Sequence, residues 1–269
     1  MKLAYPAATP ESNVPLMGYW GAFEKNLDSI QTIGYTGVEV LVRNPAAVSL
    51  SQLEHDLATR KLTAAAFGTS PMLVQDNLTL LAGNWEIREE AFRRVIGLID
   101  LASHFHAGVI IGKFRGDVPR DTARSMEPLN EIFFKLCDYC EKTNASLLLE
   151  PQKTDNINNL NTIDEALAWL QLFRSKRLNL LVDTFHMSFT ENDQCESIRK
   201  AAGHIGFVHL SDSDRLPPGC GSIDFKAVLN AFVQSGYQGF FSMEIKQSPS
   251  SDEVARLSIH NLRSLQSNL

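Results

Sequence analysis

The chain has 269 residues, 44% of them hydrophobic and 21% charged, with a formal net charge of −6. That is the make-up of a globular protein with a large core, and the acidic balance argues against a nucleic-acid backbone as partner, which calls for clustered Lys and Arg. No stretch is apolar for the roughly 20 residues of a membrane span, and MKLAYPAATPESN at the start lacks the apolar run of a secretory signal, so a cytoplasmic protein is expected.

Short apolar runs alternate with longer amphipathic segments along the whole chain. A first strand is expected at 2–7 and runs into PAATPESN, which holds no glycine. An open, doubly wound sheet usually carries a glycine-rich phosphate loop there. A helix follows at 24–33, closed by Gly34, then a strand at 37–42, a helix at 51–60 and a strand at 63–67. The helix at 85–105 leads to a strand at 108–112, and the helix at 125–142 to a strand at 146–150. Within the latter helix Cys137 and Cys140 form a CxxC; with no second CxxC they are read as ordinary helix residues. The helix at 162–174 opens on a Thr162/Glu165 capping box and leads to a strand at 179–183. A helix at 193–202, a strand at 206–210, a helix at 225–235 closed by Gly236, a strand at 239–245 and a helix at 251–265 complete the pattern. Runs such as VIIG, LLLE and LLVD are apolar without alternation, as strands buried on both faces are. Eight strand–helix units in this length predict a single (β/α)8 TIM barrel domain over 1–269.

Active sites of such barrels lie at the C-terminal ends of the strands. The last four runs end in SLLLEP with Glu150, NLLVDTFHM with Asp183 and His186, GFVHLSDSDR with His209, Asp212, Asp214 and Arg215, and FFSMEIK with Glu244 and Lys246. Glu150, Asp183, His209 and Glu244 thus close four consecutive strands, each about one strand–helix unit from the next. Adjacent strands are about 4.8 Å apart, so four such side chains can converge at the barrel mouth. Three carboxylates and an imidazole suit a hard divalent cation, and burying those carboxylates without counter-charge is very costly. Taken singly, each has a plainer reading as a cap, an ion-pair partner or a hydrogen-bonded core histidine, and Arg215, Lys246 and Lys113 can supply part of the counter-charge. His186 and Arg215 are expected on loops above the ion, facing substrate oxygens. Their alternatives are a surface histidine and an ion pair of Arg215 with Asp212 or Asp214.

The order EP, VDTFHM, HLSDSDR followed by PGCGSIDF, then MEIK resembles the xylose isomerase-like barrel superfamily, and within it the D-tagatose 3-epimerase and ketose 3-epimerase branch. The likeness extends over most of the chain; GYTGVEV, LAGNWEIREEAF and IIGKFRG are its weaker N-terminal part. It implies a sugar isomerase or epimerase with metal ligands at Glu150, Asp183, His209 and Glu244. It implies acid–base carboxylates at Glu150 and Glu244, one on each face of the sugar, and substrate contacts at His186 and Arg215. One divalent ion is implied, Mn²⁺ first and Mg²⁺, Co²⁺ or Zn²⁺ next, and a homodimer or homotetramer, the common states of the branch. The implied reaction removes the proton beside a ketone, stabilises the enediolate, and returns a proton to the opposite face.

After Glu150–Pro151 the branch usually reads Leu-Asn-Arg, an aromatic, then Glu; this chain has Gln152, Lys153, Thr154, Asp155 and Asn156. The expected substrate contact then falls on Asn156, which hydrogen-bonds without charge. Lys113, with Arg115 in GKFRG, ends the fourth strand, where it is expected to meet a substrate phosphate or carboxylate or to pair with a fifth-strand acid. A hydroxypyruvate-type aldose–ketose isomerase and an inosose dehydratase-like lyase fit the same site, and the altered 152–156 segment alone supports a non-catalytic sugar-binding barrel. An AP endonuclease shares the barrel but needs a histidine-rich trinuclear zinc cluster; of the seven histidines only His186 and His209 fall in the C-terminal site.

Overall fold

Eight parallel strands close on themselves in chain order: β1 (Lys2–Ala8), β2 (Gly37–Leu41), β3 (Thr63–Gly68), β4 (Gly108–Ile111), β5 (Ser146–Leu149), β6 (Leu178–Asp183), β7 (Ile205–His209) and β8 (Phe240–Ser242), with β8 paired back onto β1. Around them lie α1 (Phe23–Ile33), α2 (Leu50–Thr59), α3 (Ser70–Asp76), α4 (Trp85–His104), α5 (Glu127–Thr143), α6 (Ile163–Leu170), α7 (Thr184–Thr190), α8 (Gln194–Lys200), α9 (Phe225–Gln234) and α10 (Ser251–Gln266). The computed structural model describes residues 1–119 and 125–266. The (β/α)8 TIM barrel read from the pattern is the architecture observed, and none of these described helices is long and apolar enough to cross a membrane.

The helices bury one face each against the strands. In α1 that face is Phe23, Leu27, Ile30 and Ile33, and Gly34 ends the helix in the left-handed region at φ 105°. The capping box forms at Thr162 and Glu165. Cys137 and Cys140 lie buried in α5 as free thiols, and burial pushes both up to about 12.

Two element ends and two additional helices depart from expectation. The sixth helix stops at Leu170 rather than 174, because Leu172 and Phe173 donate to the carbonyls of Trp169 and Leu170 in a tighter turn, and Arg174 has φ 47°. Strand β8 ends at Ser242, so Glu244 stands past the ladder. Two short helices, α3 and α7, stand where the sequence pattern shows none; α3 has proline in its first turn, and α7 is capped by Asp183.

Alternation along the strands decides what faces the barrel axis. Ala66, Ile110, Leu148, Leu181 and Phe207 face inward and pack with Phe240 into an apolar plug. Gly108 and Gly206 flank Leu148, where a Cβ would lie 2.7 and 2.6 Å from its side chain. Two residues further toward the mouth, on the same inward face, come Gly112, Glu150, Asp183, His209 and Ser242. A polar layer therefore sits directly on the plug.

Candidate functional site

Asp183 and His209 are register partners at the ends of β6 and β7, with Glu150 just beyond β5 and Glu244 just beyond β8. One donor atom of each lies within 4.8 Å of the other three. Donors on opposite sides of an ion with bonds of about 2.1 Å are about 4.2 Å apart, so small side-chain shifts close the set. His209 Nδ1 faces all three acids, at 3.3 Å from Glu150 Oε1, 3.5 Å from Glu244 Oε2 and 3.7 Å from Asp183 Oδ2. Its Nε2 lies 3.0 Å from Glu39 Oε2, and the same oxygen accepts from Ser242 Oγ at 2.7 Å.

Asp183 divides its two oxygens. Oδ1 accepts from the backbone N–H groups of Phe185 and His186, which starts α7. Oδ2 is left for the site and takes Arg215 Nη1 at 2.7 Å. His186 is thus on a helix rather than a loop; it is buried, and Arg215 Nη2 donates to its Nε2 at 2.9 Å. Arg215 Nη1 also reaches Glu244 Oε2 at 2.8 Å, and its guanidinium lies 4.3 Å over the Phe185 ring. The pairing with Asp212 or Asp214 does not form. Asp212 is engaged elsewhere: its carboxylate accepts from the N–H groups of Ser213, Gly219, Gly221 and Ile223 and so folds the PGCGSI loop back on itself. A Cβ on Gly221 would lie 2.4 Å from Asp212 Oδ1, which is why glycine stands there. Asp214 and Arg215 follow with φ of 58° and 60°, a strained pair that turns the guanidinium into the mouth.

Charge is concentrated here. Burial raises the Asp183 carboxyl, but Arg215, with His209 beside it, outweighs it and holds the group below the usual carboxylate range. The Glu244 carboxyl is likewise raised by burial and lowered further by Arg215 and His209. Burial, with help from Arg215, lowers the His186 imidazole, so it stays neutral. Burial also opposes the charged form of His209, yet Glu39 and Glu244 overcome it and hold the imidazole well above its ordinary value. Four acidic side chains, with Glu39, Glu150 and Asp183 buried and Glu244 half-buried, thus crowd around one guanidinium and one imidazole. The donor set of three carboxylate oxygens and an imidazole nitrogen fits a divalent cation.

The 152–156 stretch acts on Glu150 from behind. Gln152 is buried and its Nε2 donates to Glu150 Oε2; Asn156 Nδ2 donates in turn to Gln152 Oε1 at 3.4 Å. Asn156 reaches the site through Gln152 rather than lining it. Lys113 lies exposed in the turn after β4, on the rim of a narrow lobe with Thr69, Ser70, Gln152 and Glu150. Next to that lobe a cavity of about 570 Å³ opens between Glu39, Glu244, Lys246 and an apolar wall of Pro6, Leu16, Met17, Leu41 and Val74. That volume is in the range of small-molecule sites.

Arg115 does not reach the mouth. It is 0% exposed and donates to the Asn159 side chain and to the carbonyls of Gly112, Glu150, Asn159 and Leu160, stitching β4 to the segment after β5. Burial brings its guanidinium down to about 10. Arg115→Met removes the guanidinium donors to Glu150, Asn159 and Leu160, so urea unfolding is expected to show a loss of about 3 kcal/mol or more. Gly112 is the other support of Glu150: a methyl there would lie 2.2 Å from Glu150 Oε2 and 2.6 Å from Gln152 Nε2. Gly112→Ala should displace the carboxylate and slow turnover by about 10²-fold, read as kcat; an unchanged kcat would contradict a catalytic position for Glu150.

Glu39 and Gln152 do not stand out from the sequence. For Glu39 the available signal is an acid inside the apolar strand GVEVL, where an unpaired charge is costly. For Gln152 it is a buried-type position given to an amide.

The model of the family described as "Xylose isomerase-like TIM barrel" matches residues 27–265. The chain is 28% identical to an L-ribulose 3-epimerase of Mesorhizobium japonicum over 235 residues, covering 86% of this chain and 77% of that one. It is 26% identical to a ketose 3-epimerase of Arthrobacter globiformis, covering 77% and 71%. The solved structure of an L-ribulose 3-epimerase superposes with a TM-score of 0.81 over 98% of this chain and 94% of that one, at 21% identity, a likeness of fold.

Proposed function

The chain belongs to the xylose isomerase-like TIM barrel family, and from that premise we propose that it is a carbohydrate epimerase that inverts C3 of a ketose or ketose phosphate. The observation that carries this is the convergence of Glu150 and Glu244 with Asp183 and His209 on one point at the barrel mouth. Two relatives named as 3-epimerases of ketoses support it. In this reading Glu150, Asp183, His209 Nδ1 and Glu244 hold one divalent ion, Mn²⁺ before Mg²⁺, Co²⁺ or Zn²⁺. When bound, such an ion supplies Lewis-acid polarisation of the substrate ketone.

The side chains supply the rest. One of the two glutamates takes the C3 proton as its carboxylate, and the electron pair of the C–H bond passes into the enediolate. The other, entering as the carboxylic acid, gives its proton to C3 from the opposite face, so configuration inverts and the protons balance. Arg215, held charged between Asp183 and Glu244, carries donors to the negative oxygens of that intermediate. Neutral His186, fixed by Arg215, stands beside them as a substrate contact. Gln152, backed by Asn156, keeps Glu150 from turning away. Lys113 and Lys246 at the rim offer charge to a phosphate on the far end of the substrate.

The test is incubation of Mn²⁺-loaded protein with ketoses and ketose phosphates in D2O, freed of metal before NMR. Deuterium at C3 with appearance of the epimer is expected. Deuterium at C1 would make it an aldose–ketose isomerase, loss of water a dehydratase, and absence of any exchange a sugar-binding barrel.

A further inference from the structure

Glu39 is a buried carboxylate at the mouth that the proposed reaction leaves unused. It sits on β2 and is 2% exposed. From there it reaches across the barrel to β7, where His209 Nε2 lies 3.0 Å from its Oε2, and to β8, where Ser242 donates its hydroxyl to that same oxygen at 2.7 Å. An acceptor-only group on Nε2 requires that nitrogen to carry the proton. Nδ1 faces Glu150, Glu244 and Asp183, and once an ion among those acids takes the Nδ1 lone pair, the remaining ring proton stays on Nε2, where Glu39 accepts it.

The geometry points to Glu39 as a positioning residue: it sets the tautomer and ring orientation of His209 so that Nδ1 is presented to the ion, and Ser242 holds Glu39 in place for it. This rests on the metal site proposed above. A carboxylate behind a metal-bound imidazole also raises its basicity as a ligand, and removing such a partner typically weakens metal binding by about 10- to 100-fold. The barrel explains why the pair is remote in the chain: closure places β2 and β7 on facing arcs of one polar layer, directly above the Phe207 plug.

Glu39 also borders the cavity, so a direct contact with substrate is the competing role, and the test separates them. Mn²⁺ binding to metal-stripped wild type, Glu39→Gln and Glu39→Leu is measured by calorimetry, with ion-free melting curves as the check on folding. Glutamine keeps an acceptor but loses the charge and should weaken Mn²⁺ about 10-fold; leucine loses both and should weaken it about 100-fold. Variants that bind Mn²⁺ like wild type and change only the substrate KM would overturn the proposal. A wild type that takes up no Mn²⁺ would overturn the metal site itself, and this proposal with it. Should both variants fail to fold, ¹⁵N-histidine NMR of the Zn²⁺-loaded wild type decides: a proton on His209 Nε2 is expected, and a proton on Nδ1 would sink the assignment.

Discussion

Replacing Glu150 or Glu244 by glutamine is expected to abolish net epimerisation, with a fall of about 10²- to 10⁴-fold in turnover. Glutamine has the shape of glutamate but accepts no proton from carbon. The two sites are not equivalent. Glu244 shares Arg215 Nη1 with Asp183, so its charge is held by a cation. Glu150 has no guanidinium partner among the described residues and is held by the neutral amide of Gln152, with the His209 ring 3.3 Å away. In the proposed mechanism each glutamate serves one face, so each single variant is expected to wash deuterium into one epimer at most, and the two variants into opposite epimers. Both substitutions also replace a charged donor of the proposed metal site by a neutral one, so rates are compared at saturating Mn²⁺, with binding measured separately. A variant that interconverts the epimers at the wild-type rate would remove that residue from the acid–base pair.

Stripping the protein with a chelator should stop turnover, and one equivalent of Mn²⁺ should restore it. An ion bound only by the folded site also stabilises the fold, by about 2.7 kcal/mol at a free concentration 100 times its Kd, so the melting temperature should climb with Mn²⁺. The binding carries a proton signature. In the ion-free site the acids around His209 hold its imidazole well above the ordinary value, so it is protonated at neutral pH. Coordination needs the Nδ1 lone pair, and the proton must leave. Below that raised pKa, each unit of falling pH therefore weakens Mn²⁺ binding by about tenfold for one proton. Calorimetry in buffers of different protonation enthalpy should give about one proton released near pH 7; none released would mean that His209 is neutral before the ion arrives.

Much of this is legible in the order of the amino acids. The apolar runs that end in Glu150, Asp183, His209 and Glu244 mark strands and mouth together, because a strand buried on both faces tolerates a charge only where it leaves the plug. Other features are legible only in part. VDTFHM contains a helix cap, since an aspartate followed by two free N–H groups starts α7, but a helix of seven residues is too short to show a helical period in the sequence. The basic pair in GKFRG has the right composition for substrate binding, yet Arg115 turns inward to a set of carbonyls that lie some 40 positions away.

What the sequence determined by itself is local: the alternation that sends Leu148 and Glu150, Leu181 and Asp183, or Phe207 and His209 to one face, and the turn chemistry that starts and stops each helix. These follow from backbone periods of two and 3.6, which act over a few residues. Which side chains then meet was decided by closure of the barrel. Arg215 finds Asp183 and Glu244 instead of its neighbours Asp212 and Asp214, and Glu39 finds His209 at a separation of 170 residues. Hydrogen bonds and ion pairs act over a few ångströms, so partners so distant in the chain are set only when the strands that carry them are packed into one ring.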